Sequence, residues 1–191
     1  MPPHVFTIGH STHPLDEFLH FLTAHGVMRL ADVRSIPRSR RNPQFNADAL
    51  PASLAAAGMD YVALRKLGGR RRTHKDSLNT GWRNDSFRGY ADYMLTPEFE
   101  QGLARLRALA AEKSTAIMCA ESVPWRCHRS LIADALLVRG VAVDHIMTPA
   151  RCNPHRLTPF AHVDGTRLTY PAPLADVPPE DLNVAGGSFR H

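Results

Sequence analysis

Short apolar segments alternate with amphipathic segments along most of the chain, and this alternation restricts its fold more than any other feature. Five segments have the apolar character of strands, at 4–8, 28–33, 61–64, 115–119 and 141–146. Apolar residues recur at helical spacing over 14–24, 48–57, 87–95, 97–112 and 129–139. Strands joined by crossovers of this length form a mostly parallel sheet with helices on both faces. The sequence therefore predicts an α/β fold with a mostly parallel, five-stranded sheet.

The character of the chain changes near residue 148, where prolines become frequent. Asp164 and Gly165 lie between short alternating runs within 160–170, which is typical of a β-hairpin. The last residues resemble a frayed tail. We therefore expect one domain over 1–191, with its core at about 4–147 and a Pro-rich extension, comprising a hairpin and the tail, at 148–191.

The composition is that of a globular protein, with 43% hydrophobic and 21% charged residues. No segment approaches the roughly 18 consecutive apolar residues that a membrane helix needs. The N-terminus lacks the features of a signal peptide, and three cysteines without an export signal favour a reducing compartment. The sequence predicts a cytoplasmic protein without a membrane partner.

Basic residues are clustered in two groups, on a chain whose net charge is +5. The first group is Arg34, Arg38, Arg40 and Arg41, and the second is Arg65, Lys66, Arg70, Arg71, Arg72 and Lys75. Such groups favour phosphate-bearing partners, either small or polymeric. A solvated basic face that aids solubility is the alternative interpretation.

Polar residues follow four of the predicted strands, at the edge of the sheet where open α/β sheets bind ligands. The residues concerned are His10 and Ser11 after the first strand, Asp32, Arg34, Arg38 and Arg40 after the second, Lys66 after the third, and Cys119, Glu121, Cys127, His128 and Arg129 after the fourth. Their convergence at one edge predicts a single polar site more strongly than any one motif does.

The segment from Cys119 to Arg129 joins a strand end to a helix start. Unpaired N–H groups and the helix dipole favour anions at such a start, and they favour the thiolate form of a cysteine. Phosphatases and rhodanese-type sulfurtransferases build anion-binding loops in this way. However, the spacing from Cys119 to Arg126 is one residue longer than the phosphatase signature, and Glu121 adds negative charge. A nucleophilic Cys119 or Cys127 is therefore one hypothesis among several.

Metal binding is another hypothesis for the same segment. Cys119, Cys127 and His128 are acceptable zinc ligands, and His10 could join them from the neighbouring strand end. The sequence has no close C-x-x-C pair, and adjacent residues such as Cys127 and His128 rarely bind one ion together. We therefore assign no metal ligand from the sequence, and its motifs indicate no particular cofactor. Under a third hypothesis Cys119 is a small buried hydrophobic residue.

Several motifs in order resemble the family catalogued as domain of unknown function 488, over about residues 4–171. They are TIGHS at 7–11, DVRSIPRSRRNPQF at 32–45, LGGRR at 67–71, FRGYADYM at 87–94, MCAESVPWRCHRSLIA at 118–133, and a late VDG…LTYP segment. The resemblance implies a small α/β domain in which these residues form one site. It implies no particular activity.

Two functions fit these observations. The first is an enzyme-like domain that binds a phosphorylated or otherwise anionic ligand through Arg34, Arg38, Arg40 and Arg129. In it, Glu121 or Asp32 would be the general base, His10 its acid partner, and Cys119 or Cys127 the nucleophile. Ser11, Lys66 and His128 would contact the ligand. The second is a nucleic-acid-binding module that uses the arginine-rich loops, and a metal-binding domain is a further alternative.

Overall fold

Six strands form one sheet in the order β3-β2-β4-β1-β5-β6, in which the first five along the chain run parallel. The computed structural model describes residues 3–173. The strands are β1 (His4–Gly9), β2 (Arg29–Asp32), β3 (Asp60–Ala63), β4 (Thr115–Cys119), β5 (Ala142–Thr148) and β6 (Arg151–Pro154). β6 pairs antiparallel with β5 at the edge of the sheet. The fold is thus a mixed α/β domain with a mostly parallel sheet.

Five α-helices within the described residues cover both faces of the sheet. They are α1 (Leu15–Ala24), α2 (Leu50–Ala56), α3 (Asp85–Tyr93), α4 (Pro97–Glu112) and α5 (Arg129–Leu137). One core cluster joins α1 and α2 to Leu30 and Met118, and the other joins α3, α4 and α5 to Ala31 and Ile117. Consecutive residues of β2 and of β4 face opposite clusters because side chains alternate along a strand.

The order of the strands creates a crevice between β1 and β4. The chain leaves β1 toward β2 over the face covered by α1, and it leaves β4 toward β5 over the face covered by α5. These two neighbouring strands are therefore followed by connections that run in opposite directions. Open α/β sheets bind ligands at such a point, outside the carboxyl ends of the strands.

The prediction of five strands is wrong by one, because β6 also joins the sheet. Its sequence, RCNP, has no apolar alternation and ends in Pro154, whose missing N–H group is tolerated at a sheet edge. Helix α3 also begins earlier than predicted. The side chain of Asn84 accepts hydrogen bonds from the backbone N–H groups of Ser86 and Phe87 and so caps the helix.

A separate antiparallel hairpin lies in the proline-rich region. It pairs β7 (His162–Asp164) with β8 (Arg167–Thr169), and Gly165 in the turn between them has a φ of +60°. The predicted tail lies outside the described residues. Among the helices of residues 3–173, none combines the length and apolar character needed to cross a membrane.

The long connection from β3 to α3 is held against the domain by Asp92 of α3. The Asp92 carboxylate accepts hydrogen bonds from the backbone of His74 and from the side chains of Ser77 and Asn79. Asn79 in turn accepts a hydrogen bond from the backbone N–H of Tyr170. These contacts hold residues 74–79 of the connection against α3 and the end of β8.

A chain of buried polar side chains links β1, β5 and α5. Thr7 Oγ1 lies 2.7 Å from His145 Nδ1, His145 Nε2 lies 3.0 Å from His155 Nδ1, and His155 Nε2 lies 2.8 Å from an Asp134 carboxylate oxygen. Burial, with a smaller contribution from the neighbouring His155, lowers the pKa of His145 from 6.5 to about 4.

This burial predicts a pH-dependent stability. We expect His145 to lower the free energy of unfolding as the pH falls from about 6.5 to about 4, because the unfolded chain binds a proton there and the folded chain does not. The contribution is at most about 3.5 kcal/mol, since the pKa differs by about 2.5 units and each unit is worth about 1.4 kcal/mol. Chemical denaturation across this pH range measures it. His145→Asn should make the dependence shallower without removing it, because His10 also has a pKa lowered to about 4. The exposed control His20→Asn should leave the dependence unchanged, and an equally steep curve for both variants would contradict the prediction.

Candidate functional site

A cavity of about 610 Å³ opens at the crevice outside the ends of β1 and β4. Its wall is formed by the segments that follow four neighbouring strands, β1, β2, β3 and β4. The predicted site residues that line it are His10, Ser11, Arg34, Arg38, Cys119, Glu121, Cys127 and His128. The structure thus brings together in one cavity residues that are more than a hundred positions apart in sequence.

Four other predicted site residues do not line the cavity. Asp32 and Arg129 are buried behind its wall, where they contact Arg34 and Cys127 respectively. Arg40 and Lys66 are exposed, and Lys66 donates a hydrogen bond to Gln101 of α4.

Asp32 and Arg34 form a buried ion pair that shapes one side of the cavity. One Asp32 oxygen accepts hydrogen bonds from the backbone N–H and Nε of Arg34, and the other accepts from Arg34 Nη2 and from the Tyr61 hydroxyl. Arg34 Nη2 also donates to the carbonyl oxygen of Phe45 at 2.7 Å. Both charged groups are therefore already committed to contacts within the protein.

His10 packs against this ion pair. Its ring stacks on Phe45 at a centroid distance of 4.4 Å, and its Nδ1 lies 2.9 Å from the carbonyl oxygen of Ser11. A proton on Nδ1 leaves Nε2 free to accept a hydrogen bond from Arg34 Nη1 at 3.2 Å. Burial, with a smaller contribution from the Arg34 charge, lowers the pKa of His10 to about 4, and the hydrogen bond to the Ser11 carbonyl offsets part of this lowering. At neutral pH the imidazole is therefore uncharged.

Two cysteines and a histidine meet on the floor of the cavity. His128 Nδ1 lies 3.6 Å from Cys127 Sγ and 4.0 Å from Cys119 Sγ. The other ring nitrogen, Nε2, lies 3.0 Å from the carbonyl oxygen of Val33, to which it donates a hydrogen bond. This bond leaves the Nδ1 lone pair directed toward the two sulfur atoms.

Arg129 lies beneath the sulfur atoms and has only 1% of its surface exposed. Its Nε donates to Cys127 Sγ at 3.3 Å, and its Nη2 donates to the carbonyl oxygens of Glu121 and Ser122. Within residues 3–173, Arg129 forms no ion pair with a carboxylate. Its positive charge is therefore available to stabilise negative charge on Cys127.

The two thiols differ in acidity. The hydrogen bond from Cys119 holds the pKa of Cys127 well below its ordinary value, and the positive charge of Arg129 acts in the same direction. The same hydrogen bond, together with burial, raises the pKa of Cys119. The arrangement therefore favours the thiolate form at Cys127 over the thiolate form at Cys119.

Gly9 allows the cysteine-bearing loop to lie against the end of β1. A Cβ atom at Gly9 would be only 1.9 Å from the carbonyl oxygen of Glu121. Beside it, the backbone N–H groups of His10 and Ser11 donate to the carbonyl oxygens of Cys119 and Ala120. The glycine in the TIGHS motif is thus explained by a close backbone approach.

Several residues that line the cavity were not among the predicted site residues. Arg41, Arg70 and Arg126 are exposed at its wall, Tyr90 packs against His128, and Gly69 lies beside the His128 ring. Arg41 and Arg70 belong to the basic groups noted above, and Arg126 precedes Cys127. The clustering of arginines in the sequence indicated a basic site, but it does not show which arginine of a cluster faces the cavity.

Comparison with known proteins gives one result. The family model described as "Domain of unknown function DUF488" matches residues 14–136, which is more than half of the chain. The chain belongs to this family. The match confirms the family resemblance that the motifs indicated. It includes β2, β4 and the cysteine-bearing loop of the DUF488 domain. Comparisons with curated proteins and with solved structures gave no significant match.

Proposed function

We propose that this DUF488 domain is enzyme-like and binds a small anionic ligand, of which a phosphorylated molecule is the simplest case, in the cavity above Cys119, Cys127 and His128. The observation that carries the proposal is the set of arginines that line the same cavity as the two thiols: Arg38, Arg41, Arg70 and Arg126. Guanidinium groups suit phosphate and carboxylate oxygens because they bind them through two parallel hydrogen bonds.

These four arginines have little competition for an incoming anion. Arg38 lies 3.7 Å from the Asp48 carboxylate in a highly exposed pair, which holds it weakly. Arg41, Arg70 and Arg126 form no ion pair within residues 3–173. Arg34 and Arg129, by contrast, are occupied by Asp32 and Cys127. We therefore assign ligand binding to the exposed arginines and a positioning role to the buried ones.

The remaining roles follow from the contacts of each group. The Cys127 sulfur, which accepts a hydrogen bond from Arg129, is the reactive group on the cavity floor. Asp32 has no oxygen free to act as a base, and His10 is held by Arg34 and Ser11. We therefore assign His10 to the cavity wall and Asp32 to the buried support behind it. Glu121 is exposed at the mouth. In the reducing compartment that the sequence predicts, both thiols stay available.

Calorimetric titration with inorganic phosphate and with phenyl phosphate, on metal-free protein in the presence of a chelator, tests the proposal. The double variant Arg41→Ala/Arg126→Ala should weaken binding at least about tenfold, because hydrogen bonds to charged groups are worth about 1.5–3 kcal/mol each. Arg105→Ala/Arg107→Ala removes the same charge from the exposed face of α4, outside the cavity, and should leave affinity unchanged. Equal losses in both variants, or no binding by the unaltered chain, would refute the proposal.

A nucleic acid is the competing ligand for the same arginines. The concave arrangement around a cavity of about 610 Å³ favours a small ligand, since a polymer needs an extended basic stripe. Titration of an oligonucleotide at increasing salt separates the two. Oligonucleotide affinity that exceeds phosphate affinity and falls steeply with salt would favour the polymer.

A further inference from the structure

The floor of the cavity has the composition of a metal site with three protein ligands. One atom each from Cys119, Cys127 and His128 can reach a common point, since the three atoms all lie within 4.8 Å of one another. We propose that these three side chains bind one Zn²⁺ ion, with the fourth coordination position open to the cavity. The inference goes beyond the proposed anion binding and does not depend on it.

The distances agree with tetrahedral coordination. Zinc binds sulfur at about 2.3 Å and nitrogen at about 2.0–2.1 Å, which separates S from N by about 3.6 Å in a tetrahedron. His128 Nδ1 lies 3.6 Å from Cys127 Sγ and 4.0 Å from Cys119 Sγ. The site therefore needs only a small approach of Cys119 to accept the ion.

The surroundings of His128 are those of a metal ligand. A metal-binding histidine usually donates its other ring N–H to a carbonyl or carboxylate, which fixes the ring and directs the free nitrogen at the metal. Here Nε2 donates to the Val33 carbonyl oxygen. At Gly69, a Cβ atom would lie 3.1 Å from His128 Nδ1, so the glycine leaves space beside the nitrogen that would bind the ion.

The charges at the site are also consistent with zinc. Cys119 releases its proton to solvent when it binds the ion, so that two thiolates offset the charge of Zn²⁺. Arg129, which donates to Cys127 Sγ, then leaves a net positive charge at the cavity floor. All three ligands line the cavity, so the fourth position faces the arginines at its wall. Three protein ligands and one open position are typical of catalytic zinc, whereas structural zinc is closed by four. The open position suits water or an oxygen of the anionic ligand.

This site was difficult to see in the sequence because its ligands do not form a close C-x-x-C pair. Cys119 ends β4, and Cys127 and His128 directly precede α5. The loop between them packs against Gly9, and both sulfurs lie within 4.0 Å of His128 Nδ1. The spacing of the ligands is therefore set by the loop's packing on β1.

Cobalt is a suitable probe because Co²⁺ replaces Zn²⁺ in such sites and absorbs visible light. The full chain, reduced and freed of metal, should bind one Co²⁺ with the absorption of a tetrahedral site and a thiolate-to-cobalt charge-transfer band, and Zn²⁺ should displace it. Cys119→Ser, Cys127→Ser and His128→Asn should each weaken Co²⁺ binding at least about 100-fold, since loss of an outer-shell partner alone typically costs 10- to 100-fold. Cys152→Ser, which alters the remaining cysteine, is the matched control and should bind normally.

Alkylation of the unaltered chain provides a readout that needs no variant. Zn²⁺ should protect Cys119 and Cys127 from iodoacetamide and leave Cys152 labelled, as peptide mass mapping would show. A wild-type chain without the charge-transfer band, or zinc that protects none of the cysteines, would overturn the inference. Arg41→Ala/Arg126→Ala should retain Co²⁺ binding, so failure of the zinc site and failure of the anion site give different results.

Discussion

Replacing Asp32 with asparagine is expected to lower the free energy of unfolding by about 3–5 kcal/mol, because it leaves the Arg34 charge buried without a counter-charge. The side chains of Asp32 and Arg34 are 1% and 5% exposed, and Arg34 Nη2 lies 2.6 Å from the Asp32 carboxylate. The substitution also weakens the acceptor for the Tyr61 hydroxyl. Urea denaturation of the purified variant measures the loss.

Two further variants make this prediction specific. Asp48→Asn removes the same charge from the exposed Arg38–Asp48 pair and should cost less than about 1 kcal/mol. Adding Arg34→Gln to Asp32→Asn removes the uncompensated charge and should recover part of the stability. If Arg34→Gln lowers the stability of Asp32→Asn as much as it lowers the stability of the unaltered chain, the buried Arg34 charge is not the cause of the loss in Asp32→Asn.

Gly9→Ala is the second substitution from which we expect a large effect, about 3 kcal/mol or more of lost stability. The added Cβ would lie 1.9 Å from the Glu121 carbonyl oxygen and 2.7 Å from the Ser122 Cα, both of which are backbone atoms that cannot rotate away. The loop must therefore move from β1. Because that carbonyl oxygen also accepts a hydrogen bond from Arg129, the movement should also weaken Co²⁺ binding.

Gly102→Ala is the matched control for this effect. Gly102 is also buried, but its Cβ would lie 3.0 Å from the Lys66 Cβ and 3.1 Å from the Leu67 side chain, distances that need a far smaller displacement than the clash at Gly9. Alanine also favours the interior of helix α4, by up to about 1 kcal/mol over glycine. Thermal unfolding and Co²⁺ titration of both variants test the comparison. Similar behaviour of the two would show that the Gly9 contact with the loop is unimportant.

Much of the fold could be predicted because its signals are local. Apolar runs gave the five parallel strands with bounds that differ by at most two residues from the observed ones, and helical spacing gave the five helices. The sixth strand was missed because an edge strand need not alternate. The edge of the sheet that carries the site could be predicted as well, since residues that follow parallel strands must share one edge.

The roles of individual residues at that edge could not be predicted in this way. Asp32 is an attractive base in the sequence, but in the structure both of its oxygens are occupied. Arg40 and Arg41 are neighbours, yet only Arg41 lines the cavity. Which way such a side chain points depends on the course of an irregular loop, and no periodic pattern describes that course.

The sequence by itself determined the alternation of strands and helices, the single polar edge and the family, because each depends on residues that are close together in the chain or on ordered motifs. The tertiary structure alone decided that β4 lies between β1 and β2, and that the Val33 carbonyl orients the ring of His128, 95 residues away. It also brought two sulfurs and a nitrogen within ligand distance beside a buried arginine. These arrangements depend on packing between distant segments, so the proximity of Cys119, Cys127 and His128 is set by the loop that packs on Gly9 and not by their spacing in the sequence.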